Sequence, residues 1–158
     1  MSPMSEAKIK SLEKICLENI KSFSYDEFEL NFNLYSTFKG KSSYLKAYML
    51  LLLLSQNRQI DYYKLVESIS YEELEDENIK MVLFIERCTN TGNLGKLESM
   101  KKESRFSEFK EMIGKIIELN RTYSESLTKK TVENHIPQSQ TEHHIKTALH
   151  ISLNSHGF

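Results

Sequence analysis

The stretch MLLLLLSQNR, residues 49–58, decides the fold. Five consecutive leucines, Leu50 through Leu54, put apolar groups on every side of a helix, so a helix here has to be covered all round. The run stops abruptly at Ser55, Gln56, Asn57 and Arg58, which reads as a helix terminus with a cation at the negative end of the dipole. With the polar lead-in Ser42-Ser43 it is far shorter than the roughly 20 apolar residues that cross a bilayer. The pattern therefore predicts a central, buried helix over residues 43–56 and argues against a membrane segment.

Upstream, Ile9, Leu12, Ile15, Cys16, Ile20 and Phe23 recur at helical spacing and predict one amphipathic helix behind a Ser5 cap. Ser24 and Glu27 make a capping-box pattern for a second helix, with Phe28, Phe32 and Tyr35 on one side and Gly40 as its stop. Downstream, a fourth helix begins near Gln59 and carries Ile60, Tyr63 and Val66 inward. Ser70 and Glu73 repeat the capping-box pattern before a short turn of helix, and residues 78–89 predict a helix that buries Val82, Ile85 and Cys88. Gly92 suits a left-handed stop and Asn93 suits the cap of a short helix over residues 94–100.

Lys101-Lys102-Glu103-Ser104 reads as a loop, after which Phe106, Phe109, Met112, Ile113, Ile116 and Ile117 define the longest amphipathic helix. No strand pattern competes before Tyr123. Helix, short turn and helix in succession predict an all-α fold of stacked antiparallel helical hairpins, an α-solenoid without a strict sequence repeat. Beyond Tyr123 apolar density drops, Pro137 and the QSQTEHH stretch break the pattern, and Ile145, Leu149 and Leu153 give a weak late helix. The expected organisation is a helical-repeat domain over residues 1–123 and, over 124–158, a linker with a weakly structured tail, the linker itself falling at 128–140.

At 158 residues the chain suits one domain that buries about two thirds of its unfolded surface. Charged residues make up 27% with a net charge of −1, so no basic face is expected and nucleic acid is not an expected partner. Cys16 and Cys88 sit inside helical patterns without metal spacing, as buried thiols of a reducing compartment do. The amino-terminal MSPMSEAKIK has no apolar signal core, which leads to an expectation of cytoplasm and nucleus.

The residues that could carry chemistry are few. All five histidines, His135, His143, His144, His150 and His156, fall late in the chain, but His143 with His144 or His150 lacks the i, i+4 spacing of a helical zinc pair. Glu72-Glu73, Glu75-Asp76-Glu77 and Asp26-Glu27 pair carboxylates at helix starts, where acids serve the dipole. Gly92-Asn93-Leu94-Gly95-Lys96 is too short for a phosphate loop, and no GxSxG occurs. The expectation is a protein without catalytic, cofactor or metal site and without small-molecule substrate. Tyr62-Tyr63 and Tyr44 with Tyr48 cannot all face inward on narrow helices, so some aromatic surface is expected for protein contacts.

One ordered series remains: Leu54-Ser55-Gln56-Asn57-Arg58, then Tyr62-Tyr63, then Asn78-Ile79-Lys80, followed by Glu86, Gly92, Lys96 and the Phe106, Phe109, Ile113 pattern. Over residues 25–117 this series resembles the family of the smallest PCI-domain subunits of the proteasome regulatory-particle lid. The resemblance implies a PCI-type helical repeat and a non-catalytic structural role in lid assembly and ubiquitin-dependent degradation, with other lid subunits as partners. The family's longer amino-terminal helical region and its winged helix are not matched here, so the chain reads as a shortened form. Sister PCI subunits of the signalosome and of translation initiation factor three share the frame, and a stand-alone helical adaptor is the alternative of another class.

Overall fold

The leucine-rich helix sits at the centre of the architecture. The computed structural model describes residues 2–133, in which the order is α1 (Pro3–Lys21), α2 (Tyr25–Thr37), α3 (Ser43–Ser55), α4 (Gln59–Ser68), a 3-10 turn (Glu73–Glu75), α5 (Glu77–Thr91), α6 (Leu94–Glu103) and α7 (Ser107–Glu133). No strand occurs among the described residues, and the all-α class read from the sequence holds.

Leu45, Ala47, Tyr48, Met49 and all five leucines of α3 are buried. Helices α1, α2, α4 and α5 all pack against α3, while α1 pairs with α2 and α5 with α6 as hairpins. Phe28 of α2 meets Tyr48 edge-on at 5.0 Å. From the other side Phe109 of α7 stacks on Tyr44 at 5.2 Å and on Tyr48 at 6.1 Å. Such aromatic pairs add stability beyond the area they bury, about 0.5–1.5 kcal/mol each. Phe109, Met112, Ile113, Ile116 and Ile117 form the buried stripe of α7, as their spacing predicts.

The hairpin corners share one geometry. Helices α1, α2, α3 and α5 each end with a left-handed residue, namely Phe23, Lys39, Asn57 and Gly92 at φ 57°, 60°, 57° and 71°. In each case the following N–H donates back five residues, Ser24 to Asn19, Gly40 to Tyr35, Arg58 to Leu53 and Asn93 to Cys88. This double closure satisfies carbonyls that the last helical turn would otherwise leave bare. The SQNR terminus is therefore a real stop, with Asn57 as its turning residue.

Several expectations are corrected. Ser2, not Ser5, caps α1 and Pro3 stands in the first turn, where its missing N–H costs nothing. Ile15 and Phe23 are partly exposed, not core. Helix α2 stops at Thr37, and Gly40 serves a different end: a Cβ there would lie 2.1 Å from the Tyr35 ring. Ser24 makes no side-chain cap: its hydroxyl meets Ser22 Oγ at 3.0 Å, its N–H already donates to the Asn19 carbonyl, and Glu27 accepts a hydrogen bond from the Asn19 amide on α1. In α4 the buried residue is Tyr62, while Ile60 is 74% exposed. Lys101, Lys102 and Glu103 complete the last turn of α6, with the Lys101 side chain lying over Gly114. Helix α7 continues to Glu133, past the Thr128 at which a linker was expected. The chain divides into the units Met1–Asn120 and Arg121–Phe158.

Candidate functional site

The sequence-nominated groups fall into three sets once folded. The carboxylates come first. Asp76 caps α5, accepting from the Asn78 and Ile79 N–H groups at 2.8 and 3.3 Å. Glu73 closes a reciprocal capping box with Ser70: Ser70 N–H donates to its carboxylate at 2.9 Å, and Glu73 N–H donates to Ser70 Oγ at 3.3 Å. The other Glu73 oxygen pairs with Lys46, the one charged residue of α3. Burial works against ionisation of Glu73, and the hydrogen bonds from Lys46 and Ser70 outweigh it, so its carboxyl sits below the usual range. Glu75 pairs with Lys80 at 2.8 Å and Glu77 with Arg105 at 3.3 Å. These acids are engaged in caps and ion pairs, the role their positions at helix starts predict.

The Lys46–Glu73 pair lines a cleft of about 940 Å³ between the α2–α3 loop and the segment after α4, together with Lys39 and Lys41 of the loop and Glu72 and Asp76 of the segment. A second, smaller cleft of about 480 Å³ lies on the other side of the same loop, between Lys39 and Lys41 and the α1 residues Glu6, Lys10 and Glu13. Tyr35 holds the loop: its hydroxyl accepts from the Ser42 N–H at 2.8 Å, and Ser42 in turn caps α3.

The aromatic residues come second, and here the structure redirects the sequence reading. Tyr48 and Tyr62 are buried, and neither hydroxyl has a hydrogen-bond partner among the described residues. Tyr44 and Tyr63 are half-buried and donate to Glu108 and Glu86. Burial pushes all four phenols up, with the neighbouring carboxylates adding to the effect. None of the four supplies the expected contact surface. The exposed apolar residues are others, among them Leu30 at 65% and Leu34 at 46% on α2, Ile60 on α4 and Tyr71 after it. Sequence reasoning missed Leu30 and Leu34, although their four-residue spacing, out of phase with Phe28 and Phe32, was there to be read.

The remaining groups are thiols, histidines and Arg58. Cys16 is fully buried and its thiol is pushed up to about 11, first by burial and then by the Glu13 charge. Burial also raises Cys88. Both are poor nucleophiles at neutral pH. The histidines lie outside the described residues, and among the described residues no group of three or more His, Cys, Asp or Glu is placed to hold a metal ion. No helix among the described residues is long and apolar enough to cross a membrane. Arg58, read as a helix-end cation, does more. Its guanidinium grips both Glu29 oxygens at 2.7 and 2.8 Å and reaches Asp61, tying α2 to the start of α4; the Glu29 contact leads in keeping it protonated.

Compared with known proteins, the sequence matches no family model and no curated protein.

Proposed function

We propose that this chain is a non-catalytic structural subunit of the proteasome regulatory-particle lid, a PCI-type helical scaffold that supports lid assembly and ubiquitin-dependent degradation. The observation that carries the reading is the ordered series from Leu54-Ser55-Gln56-Asn57-Arg58 through Tyr62-Tyr63 to Asn78-Ile79-Lys80. Each part of the series has a structural task in a helical-hairpin array. The leucine run ends the hub helix, Asn57 turns the chain, Arg58 ties α4 to α2, Tyr62 enters the core, and Ile79 is fully buried on α5. Residues placed by such packing needs recur at fixed spacing when a scaffold is retained. The engagement of the carboxylates in caps and ion pairs and the raised thiols fit a role in contact rather than in chemistry.

The test is recovery of the tagged chain from its own cells. Lid and base subunits should be recovered together, and depletion should raise polyubiquitinated protein while the peptidase activity of the free core particle persists. Recovery of signalosome or initiation-factor subunits with ubiquitin conjugates unchanged would move the chain to a sister complex. Recovery of no large assembly would favour a stand-alone helical adaptor.

A further inference from the structure

Helix α2 is apolar on two opposite sides, and only one of them is used by the fold. Phe28, Phe32 and Tyr35 face the core and are buried. At 100° per residue Leu30 and Leu34 lie on the far side, in one row with Asp26, and they are 65% and 46% exposed. The sequence of α2, YDEFELNFNLYST, contains no Lys or Arg. Two of its three acids are already held, Glu29 by Arg58 and Glu27 by the Asn19 amide. The Asp26 side chain is exposed, with no hydrogen bond or ion pair among the described residues.

We propose that this outer face of α2 docks an amphipathic helix of a neighbouring subunit, one that offers apolar side chains four residues apart and a Lys or Arg within reach of Asp26. A row at i, i+4 is the ridge that packs between the ridges of a second helix. The charge pattern names the occupant. An α2-on-α2 contact with a second copy of this chain fits poorly, because α2 has no cation to offer: packed antiparallel, each Asp26 would lie against the other copy's Leu34, and packed parallel the two aspartates would face each other. Area points the same way. Two leucines expose far less than the roughly 800 Å² per partner of a free-standing dimer, so this contact has to be one of several within an assembly. The inference rests on the lid reading and specifies one surface within it.

The test compares the tagged full chain with three variants in its own cells, scoring lid subunits by mass spectrometry. Leu30→Asp/Leu34→Asp should lower their recovery about tenfold or more, as loss of an interface anchor does. Asp26→Lys should lower recovery while leaving the helical circular dichroism unchanged, and Tyr71→Asp, 83% exposed elsewhere, should recover the lid as wild type does. A folded double variant that recovers the lid normally overturns this surface and leaves the lid reading intact. Should the double variant misfold, Asp26→Lys decides by itself. If wild type recovers no lid subunit, the lid reading fails and this inference with it.

Discussion

Helices α2 and α3 are both 13 residues long, and the chain treats them in opposite ways. Nine residues of α3 are buried against three of α2. In α3 every face meets another helix, so its sequence has lost amphipathic periodicity and retains only an apolar run with one cation, Lys46. In α2 periodicity survives, doubled: one apolar row holds the fold and the other meets solvent. The hub is determined by packing alone. The flank keeps apolar groups that its own core does not require.

The largest test of that contrast exchanges leucine for a charge on each helix. Leu52 is 1% exposed, and an aspartate there is an unpaired charge in a covered site, with a penalty of several kcal/mol against a total stability of about 5–15. Leu52→Asp should therefore abolish cooperative thermal unfolding followed by circular dichroism. Leu30→Asp should shift stability by no more than about 0.5 kcal/mol, as exposed substitutions do. Equal melting temperatures for the two variants would remove the distinction between hub and flank.

Next in size is the joint between the two helices. A Cβ on Gly40 would lie 2.1 to 2.4 Å from three atoms of the buried Tyr35 ring, whose hydroxyl fixes the Ser42 N–H at the start of α3. Neither ring nor loop can move without loosening that start. Gly40→Ala should destabilise by about 1–3 kcal/mol in urea titration, the usual range for overpacking. A neutral result would mean that the loop can pivot away from Tyr35.

A smaller effect comes from the ion pair that ties α3 to the segment after α4. The Glu73 carboxyl lies below its ordinary 4.5 in the fold and returns to it on unfolding, so the Lys46 pair stabilises above about pH 4.5 and loses its contribution as pH falls through the folded value. Glu73→Gln should lower stability at neutral pH and flatten the acid limb of stability against pH. An acid limb with unchanged slope would assign the acid sensitivity to other groups, Glu108 first, since it too is held low despite burial, by Tyr44.

The hub was legible because an apolar run followed by SQNR admits one reading in a helical array. The flanks were less so, for reasons that particular residues show. Ser24/Glu27 and Ser70/Glu73 have the same spacing, yet only the second pair closes a capping box: the Ser24 N–H is spent on the Asn19 carbonyl and its hydroxyl on Ser22, and Glu27 turns to the Asn19 amide. In α4 and at its C-cap the row of Ile60 and Tyr63 and the row of Tyr62 and Ile69 are both apolar, and packing selects the second, burying Tyr62 and Ile69. Pairing across α2 and α4 through Arg58 and Glu29 spans 29 positions and leaves no local trace. The outer leucines of α2 were visible as letters but not as exposed, since a helix with two apolar rows does not declare which row faces inward.

The finest comparison concerns how the two helices end. Both close with the same back-bonded turn, but α3 turns on Asn57 and α2 on Lys39, at φ 57° and 60°. Asparagine tolerates the left-handed region, whereas a residue with a long side chain is disfavoured there by about 1–2 kcal/mol, part of which glycine forfeits through the greater freedom of its unfolded chain. Lys39 is exposed and makes no ion pair among the described residues, so its removal forfeits no contact of that kind. Lys39→Gly should raise stability by about 0.5–1 kcal/mol, seen as a higher denaturation midpoint at unchanged slope. Asn57→Gly should gain less. If instead Lys39→Gly lowers the midpoint, the lysine contributes to the charged cleft it lines, and the closure of α2 is held by that wall rather than strained at its turn.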